Sequence, residues 1–276
     1  MATLSNIGAA LMTDQLEPHL DWLKNGARDL EIQDFYQADL LDGDWRSKVD
    51  EATKLLGDYP GRMGIHGPFW GLDIANPDPL MREGVQKRLL QGLGAAEALG
   101  ASHMVVHSPI DPWLHRHILH NDKQRHYVLD LMKKTLEQPL AEAERIGCTL
   151  VIENIKDLDL RLLRDLVSAF DSASLRMSID VGHAYCMHIQ HGAPTPDQYV
   201  AAAGSYLAHV HLQDSDGYID RHWLPGEGDI GFKALFEELA KLEQEPRLII
   251  EVKNKAAVQE AAVWLERFVP TPAVTI

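Results

Sequence analysis

Six short segments end an apolar run on a histidine or a carboxylate: His66 in GIHGPFW, His107 in MVVHSP, Glu153 in LVIEN, Asp180 in SIDVGH, His211 in HVHLQD and Glu251 in LIIEV. A charged group that closes an apolar strand costs several kcal/mol to bury unless it is paired or bound to a cation. Taken singly, His66 and His107 read as hydrogen-bonded rim histidines, and Glu153 and Glu251 as ion-pair partners of Lys156 and Lys253. Asp180 taken singly caps the next turn. Six such groups in the same strand phase point instead to a divalent-metal site. We take Glu153, Asp180, His211 and Glu251 as its core. Carboxylate oxygen and imidazole nitrogen without thiolate suit Mn²⁺, Zn²⁺, Co²⁺ or Fe²⁺, and Mg²⁺ less well.

Further groups cluster nearby. His183 follows Asp180, and Asp220 and His222 stand two apart in the segment HVHLQDSDGYIDRHWLPGEGDIGF. Asp220 and His222 read equally as a solvated turn or as additional ligands. His209 shares a strand face with His211 by the two-residue period and reads as a histidine one layer deeper.

The elements that must carry these groups are short β-rich runs alternating with helical patterns. The strands read as 5–12, 29–35, 62–66, 103–107, 149–154, 176–180, 208–213 and 247–252. Amphipathic segments at 85–99, 127–145 and 232–242 lie between them, with Gly100, Gly147 and Pro246 as stop signals. Eight βα units favour a closed parallel (β/α)₈ barrel, an α/β fold that typically takes roughly 250 residues. The 276 residues are therefore read as one domain, with 270–276 as a terminal tail. In such barrels the active site forms at the C-terminal strand ends, where the six groups fall. An open doubly wound sheet lacks support, because no Gly-rich phosphate turn follows the first strand.

A net charge of −15 argues against a nucleic-acid partner, which is held by Lys and Arg. Two cysteines, Cys148 and Cys186, predict no disulfide framework and a reducing, cytoplasmic setting. The first residues read as a strand entering a helix, not a secretory leader, and no apolar run is long enough to span a membrane.

From strand three to strand eight, HGPF, VVHSP, LVIEN, IDVGH, HVHLQDSDG, GEGDIGF and LIIEV together resemble the xylose isomerase-like TIM barrels. That superfamily holds sugar and sugar-phosphate isomerases and epimerases together with endonuclease IV-type apurinic/apyrimidinic endonucleases. The resemblance to the first branch implies one metal on Glu153, Asp180, His211 and Glu251. Glu153 and Glu251 would then act as acid and base through an enediolate, with His183 touching the sugar. The second branch uses three zinc ions, and its further ligands match His66, His107, His183, Asp220 and His222. The loops at the predicted mouth are acidic or neutral and no DNA-penetrating segment is recognisable, which favours the isomerase or epimerase branch. A lyase or dehydratase on a related substrate is a third reading. On the favoured reading the partner is a small sugar or sugar phosphate. Phe69, Trp70, Trp113 and Trp223 would wall the pocket, and Arg221, Lys253 and Lys156 would anchor an anionic group. The long loop 108–124 would serve as a lid, and the superfamily's habit suggests a homo-oligomer.

Overall fold

A computed structural model describes residues 6–269, so residue 5 of the first predicted strand and the tail at 270–276 lie outside the described residues. Eight parallel strands close in sequence order: β1 Ile7–Leu11, β2 Leu30–Ile32, β3 Met63–His66, β4 His103–His107, β5 Thr149–Glu153, β6 Leu175–Asp180, β7 Leu207–Leu212 and β8 Arg247–Ile250. β8 pairs back onto β1 through Ile7 and Leu248, so the sheet has no free edge.

The predicted second strand, 29–35, is longer than the real one. Asp34–Tyr36 form a 3₁₀ turn because Asp34 accepts the backbone N–H and hydroxyl of Thr13, at 2.7 and 2.8 Å, and bends the chain across the barrel mouth. The loop 108–124 is also more ordered than a mobile lid. Pro112–Ile118 is a helix capped by Asp111, which accepts the Leu114 N–H at 2.7 Å, and the next helix begins at Asp122. His115 and Ile118 are buried in it.

Alternation along each strand separates two environments. Leu30, Ile32, Ile65, Met104, Leu150, Ile152, Ile179, Val210 and Leu248 join the apolar cluster packed against the outer helices. Burying one such side chain contributes roughly 1.5–3 kcal/mol. The intervening residues face the barrel axis. Ala10, Val105, Val151 and Ile249 are buried there, apart from the main cluster, with the polar Glu31, Ser178 and His209. One further step along each strand brings His66, His107, Glu153, Asp180, His211 and Glu251 to the mouth. The register aligns His107 with Glu153 and Asp180 with His211. Helix ends follow the expected chemistry: Gly100 and Gly147 take left-handed φ of 67° and 71° at C-termini. Among the described residues both cysteines are free and buried, and no helix is long and apolar enough to cross a membrane.

Candidate metal centre

At the C-terminal mouth lies a cavity of about 480 Å³ lined by Gln33, Tyr36, His66, Phe69, Trp70, His107, Glu153, His183, Asp220, His222, Glu251 and Lys253. That volume is ordinary for a small-molecule site, roughly 300–1,000 Å³. Asp180 and His211 are fully buried beneath its floor.

The four expected core groups converge. His211 Nδ1 lies 2.5 Å from Glu153 Oε1 and 3.4 Å from Glu251 Oε2. One ligand atom each from Asp180, His211 and Glu251 lies within 4.8 Å of the others. Two further sets meet the same limit, one of His66, His107 and Glu153, the other of His183, Asp220 and His222. A third, Glu153 with Asp180 and His183, links them. All nine groups suspected from strand ends and the β7 loop thus meet in one place.

Local structure fixes their aim. Asp180 caps the helix Val181–His191 by accepting the His183 N–H at 2.7 Å, so one oxygen is committed to the backbone. Gln213 donates to both Asp180 oxygens at 3.1 Å and to Asp220 at 2.8 Å, while accepting the His222 N–H at 2.8 Å. Gly182 makes room for that amide, since a Cβ there would stand 2.4 Å from Gln213 Cδ. The loop bearing Asp220 and His222 is tied at its base by Asp214, which accepts backbone N–H groups of Ser215, Gly226 and Ile230. The GEGDIG motif is therefore a loop clamp. His222 sits at φ 50°, a costly conformation for a residue with a side chain, held by bonds from its backbone to Gln213 and from its ring to the Glu251 carbonyl.

Electrostatics follow from burial against pairing. Burial works against the charged form of His211, yet Glu251, Glu31 and Glu153 outweigh it and hold the imidazole well above its ordinary range. Burial would likewise raise Glu153, but His211 and His107 pull it well down. His107 itself is pushed down to about 3, chiefly by burial. The carboxylates thus face imidazole rings at close range, and a divalent ion at the same point would balance their charge. The donor set, hard oxygen with borderline nitrogen, fits such an ion.

Phe69, Trp70 and Lys253 line the cavity as expected, and Phe69 stacks on His107 with ring centres 4.4 Å apart. Trp113 and Arg221 do not. Trp113 projects from the helix Pro112–Ile118, 74% exposed and against His117. Arg221 pairs with Asp216 at 2.8 Å and lies over Trp223, which occupies both of them elsewhere on the β7 loop. Lys156 borders a neighbouring cavity of about 220 Å³ that shares His107 with the first. The sequence reading, which took strand ends and the loops just after them, passed over Glu31, Gln33, Tyr36, Gln213 and Lys255. Glu31 had a signal: a carboxylate in the middle of a buried strand. Lys255 Nζ donates to Gln33 Oε1 at 3.0 Å, which turns the Gln33 amide so that its Nε2 donates to Glu251.

Asp157, behind the mouth, is fully buried. It accepts from Ser108 Oγ at 2.9 Å and Ile155 N at 3.1 Å, while burial pushes its carboxyl from 3.8 up to about 7. The folded state therefore keeps this proton to higher pH than the unfolded chain. Its contribution is complete below about pH 4 and is lost as pH rises through about 7. Between about pH 5 and 8, Asp157→Asn is expected to lose less stability than the parent, by at most roughly 3 kcal/mol. Urea unfolding of both proteins at the two pH values checks this; parallel pH profiles would exclude an ionisable Asp157.

A family model described as the xylose isomerase-like TIM barrel matches residues 23–268. The chain belongs to that family. A solved structure of the TTHB071 protein from Thermus thermophilus, soaked with zinc chloride, is 26% identical with a TM-score of 0.73, covering 95% of this chain and 97% of that one. A D-tagatose 3-epimerase-like protein shares the fold at 21% identity and TM-score 0.73, over 95% of this chain and 96% of that one. The uncharacterised protein MJ1311 of Methanocaldococcus jannaschii is 27% identical over 210 residues, 73% of this chain and 68% of its own length. The chain thus sits in a family whose structural neighbours include sugar epimerases and isomerase-like proteins.

Proposed function

We propose that this chain is a divalent-metal-dependent sugar isomerase or epimerase, acting on a small ketose or its phosphate. The observation that carries the reading is the convergence of Glu153 and Glu251 on His211 above Asp180, at the floor of a small-molecule cavity. A divalent ion held by these four groups supplies Lewis acidity, lowering the pKa of a C–H beside a carbonyl. Glu251 Oε1 accepts from Gln33 Nε2, which leaves Oε2, 3.4 Å from His211 Nδ1, as the oxygen that would take or return a proton. Glu153 does the same from β5, across the cavity. His66, His107 and His183 border the space where hydroxyls would lie, and Phe69 and Trp70 offer faces for the ring's apolar side.

The two outlying ligand sets favour a second reading, a three-ion site that hydrolyses a phosphodiester as in endonuclease IV-type enzymes. Charge distinguishes the two. Five carboxylates, Glu31, Glu153, Asp180, Asp220 and Glu251, belong to the cluster. One divalent ion leaves the cluster net negative and suited to a neutral sugar, whereas three leave it net positive and suited to a phosphate. The net charge of −15 and the acidic loops Asp73, Asp111 and Asp216 support the first.

The deciding measurement is metal analysis of the purified protein together with incubation of ketoses in deuterium oxide. We expect metal-dependent deuterium entry at the carbon beside the carbonyl, and epimer or isomer formation. Three tightly held zinc ions, cleavage of abasic-site DNA and no exchange into any ketose would replace this reading with the second.

A further inference from the structure

We propose that Glu31 is a positioning residue for the metal centre, accepting the Nε2–H of His211 and so fixing the tautomer that turns Nδ1 toward the ion. Glu31 sits in mid-β2, is 1% exposed and does not line the mouth cavity. Both its oxygens lie 3.1 Å from His211 Nε2, and Oε2 is also 3.1 Å from His209 Nε2. His209 Nδ1 in turn meets Ser178 Oγ at 2.8 Å. On its other edge the His211 ring faces Glu153 and Glu251.

A carboxylate only accepts, so each ring nitrogen facing one must carry a proton or have a cation between. With an ion among Glu153, Glu251 and Asp180, Nδ1 presents its lone pair, and the ring's single proton sits on Nε2. The chain of bonds then closes without a conflict. Ser178 donates to His209 Nδ1, His209 donates from Nε2 to Glu31, and His211 donates from Nε2 to the same carboxylate. A carboxylate behind a ligating imidazole orients the ring and raises its basicity, and losing such a partner typically costs about 10–100-fold in metal affinity. Glu31, His209 and His211 also have ligand types for an ion of their own. Their direct hydrogen-bonding separations, deep below the cavity, assign that space to protons.

The inference rests on the metal reading above. The test is zinc affinity of the Glu31→Leu protein against the parent, by competition with a chromophoric chelator, with ions counted at saturation and the metal-free fold checked by circular dichroism. We expect roughly 10–100-fold weaker binding with the ion count unchanged. Affinity equal to the parent's would overturn the proposal, and so would a count lower by one, which would make Glu31 a ligand. Parent protein that binds no divalent ion would instead defeat the metal reading itself. Should Glu31→Leu not fold, nitrogen-15 histidine spectra of the zinc-loaded parent decide. A slowly exchanging proton on His211 Nε2 is expected, and a proton on Nδ1 with the metal on Nε2 would refute the role.

Discussion

Turnover by the Glu251→Gln protein is expected to fall by roughly 10²–10⁴-fold, the usual cost of removing a positioned acid or base. Its fold should survive. Gln33 Nε2 donates to Glu251 Oε1, and an amide oxygen at that position accepts the same bond. In the metal-free protein Glu153 and Glu251 repel one another across His211, which works against ionisation of Glu251. Attraction to His211 and His222 outweighs that repulsion and burial and holds Glu251 below its ordinary range, so removing the charge should lower the metal-free thermal midpoint modestly. Glu153→Gln should show the same loss of turnover with a lower midpoint, because it gives up the short contact to His211 and the 3.4 Å approach of His107. Rate measurements at saturating metal, alongside thermal melts in chelator, separate the effects. Near-parental activity in either variant would remove that residue as a proton-transfer group.

His211→Ala is expected to cost more stability than either carboxylate variant. His211 is the common partner of Glu31, Glu153 and Glu251, and it is fully buried. Deleting one partner of a buried ion pair leaves uncompensated charge and typically costs about 3–5 kcal/mol. At roughly 2–4 °C per kcal/mol for a chain of this size, the metal-free midpoint at neutral pH should drop by on the order of 10 °C. The pH dependence has a definite sign. Glu31 and Glu153 are held well below the ordinary carboxylate range by His211, once its attraction has outweighed burial. Their stabilisation is present above the unfolded value, about 4.5, and is lost as pH falls through the folded values. The deficit of His211→Ala should therefore narrow below about pH 4, where the parent loses the same interaction. A deficit that did not change with pH would assign the damage to packing and not to charge.

Both predictions concern residues that the sequence made visible. Each lies at the end of an apolar run whose buried ligand-type side chain has no structural excuse. The β7 loop residues Asp220 and His222 were ambiguous, because a loop has no period from which to infer direction. Gln213, Asp214 and the left-handed backbone of His222 hold both residues at the cavity wall. Trp113 and Arg221 show the reverse error. Their types suit a sugar pocket, but a capped helix carries one away from the mouth and Asp216 holds the other.

From sequence alone came the eight-strand rhythm, the strand phase and hence the six strand-end candidate ligands, since each depends only on local periodicity and burial cost. Tertiary structure decided what those ligands stand on. Glu31 and Gln33 come from β2 and the residue just beyond it, and Lys255 from the turn Lys255–Ala257 after β8. Each reaches His211, Glu251 or a partner of theirs across about 180 to 222 positions of chain. No local pattern records such contacts; they exist because closing the barrel brings β8 against β1, next to β2, and sets their inward faces around one axis.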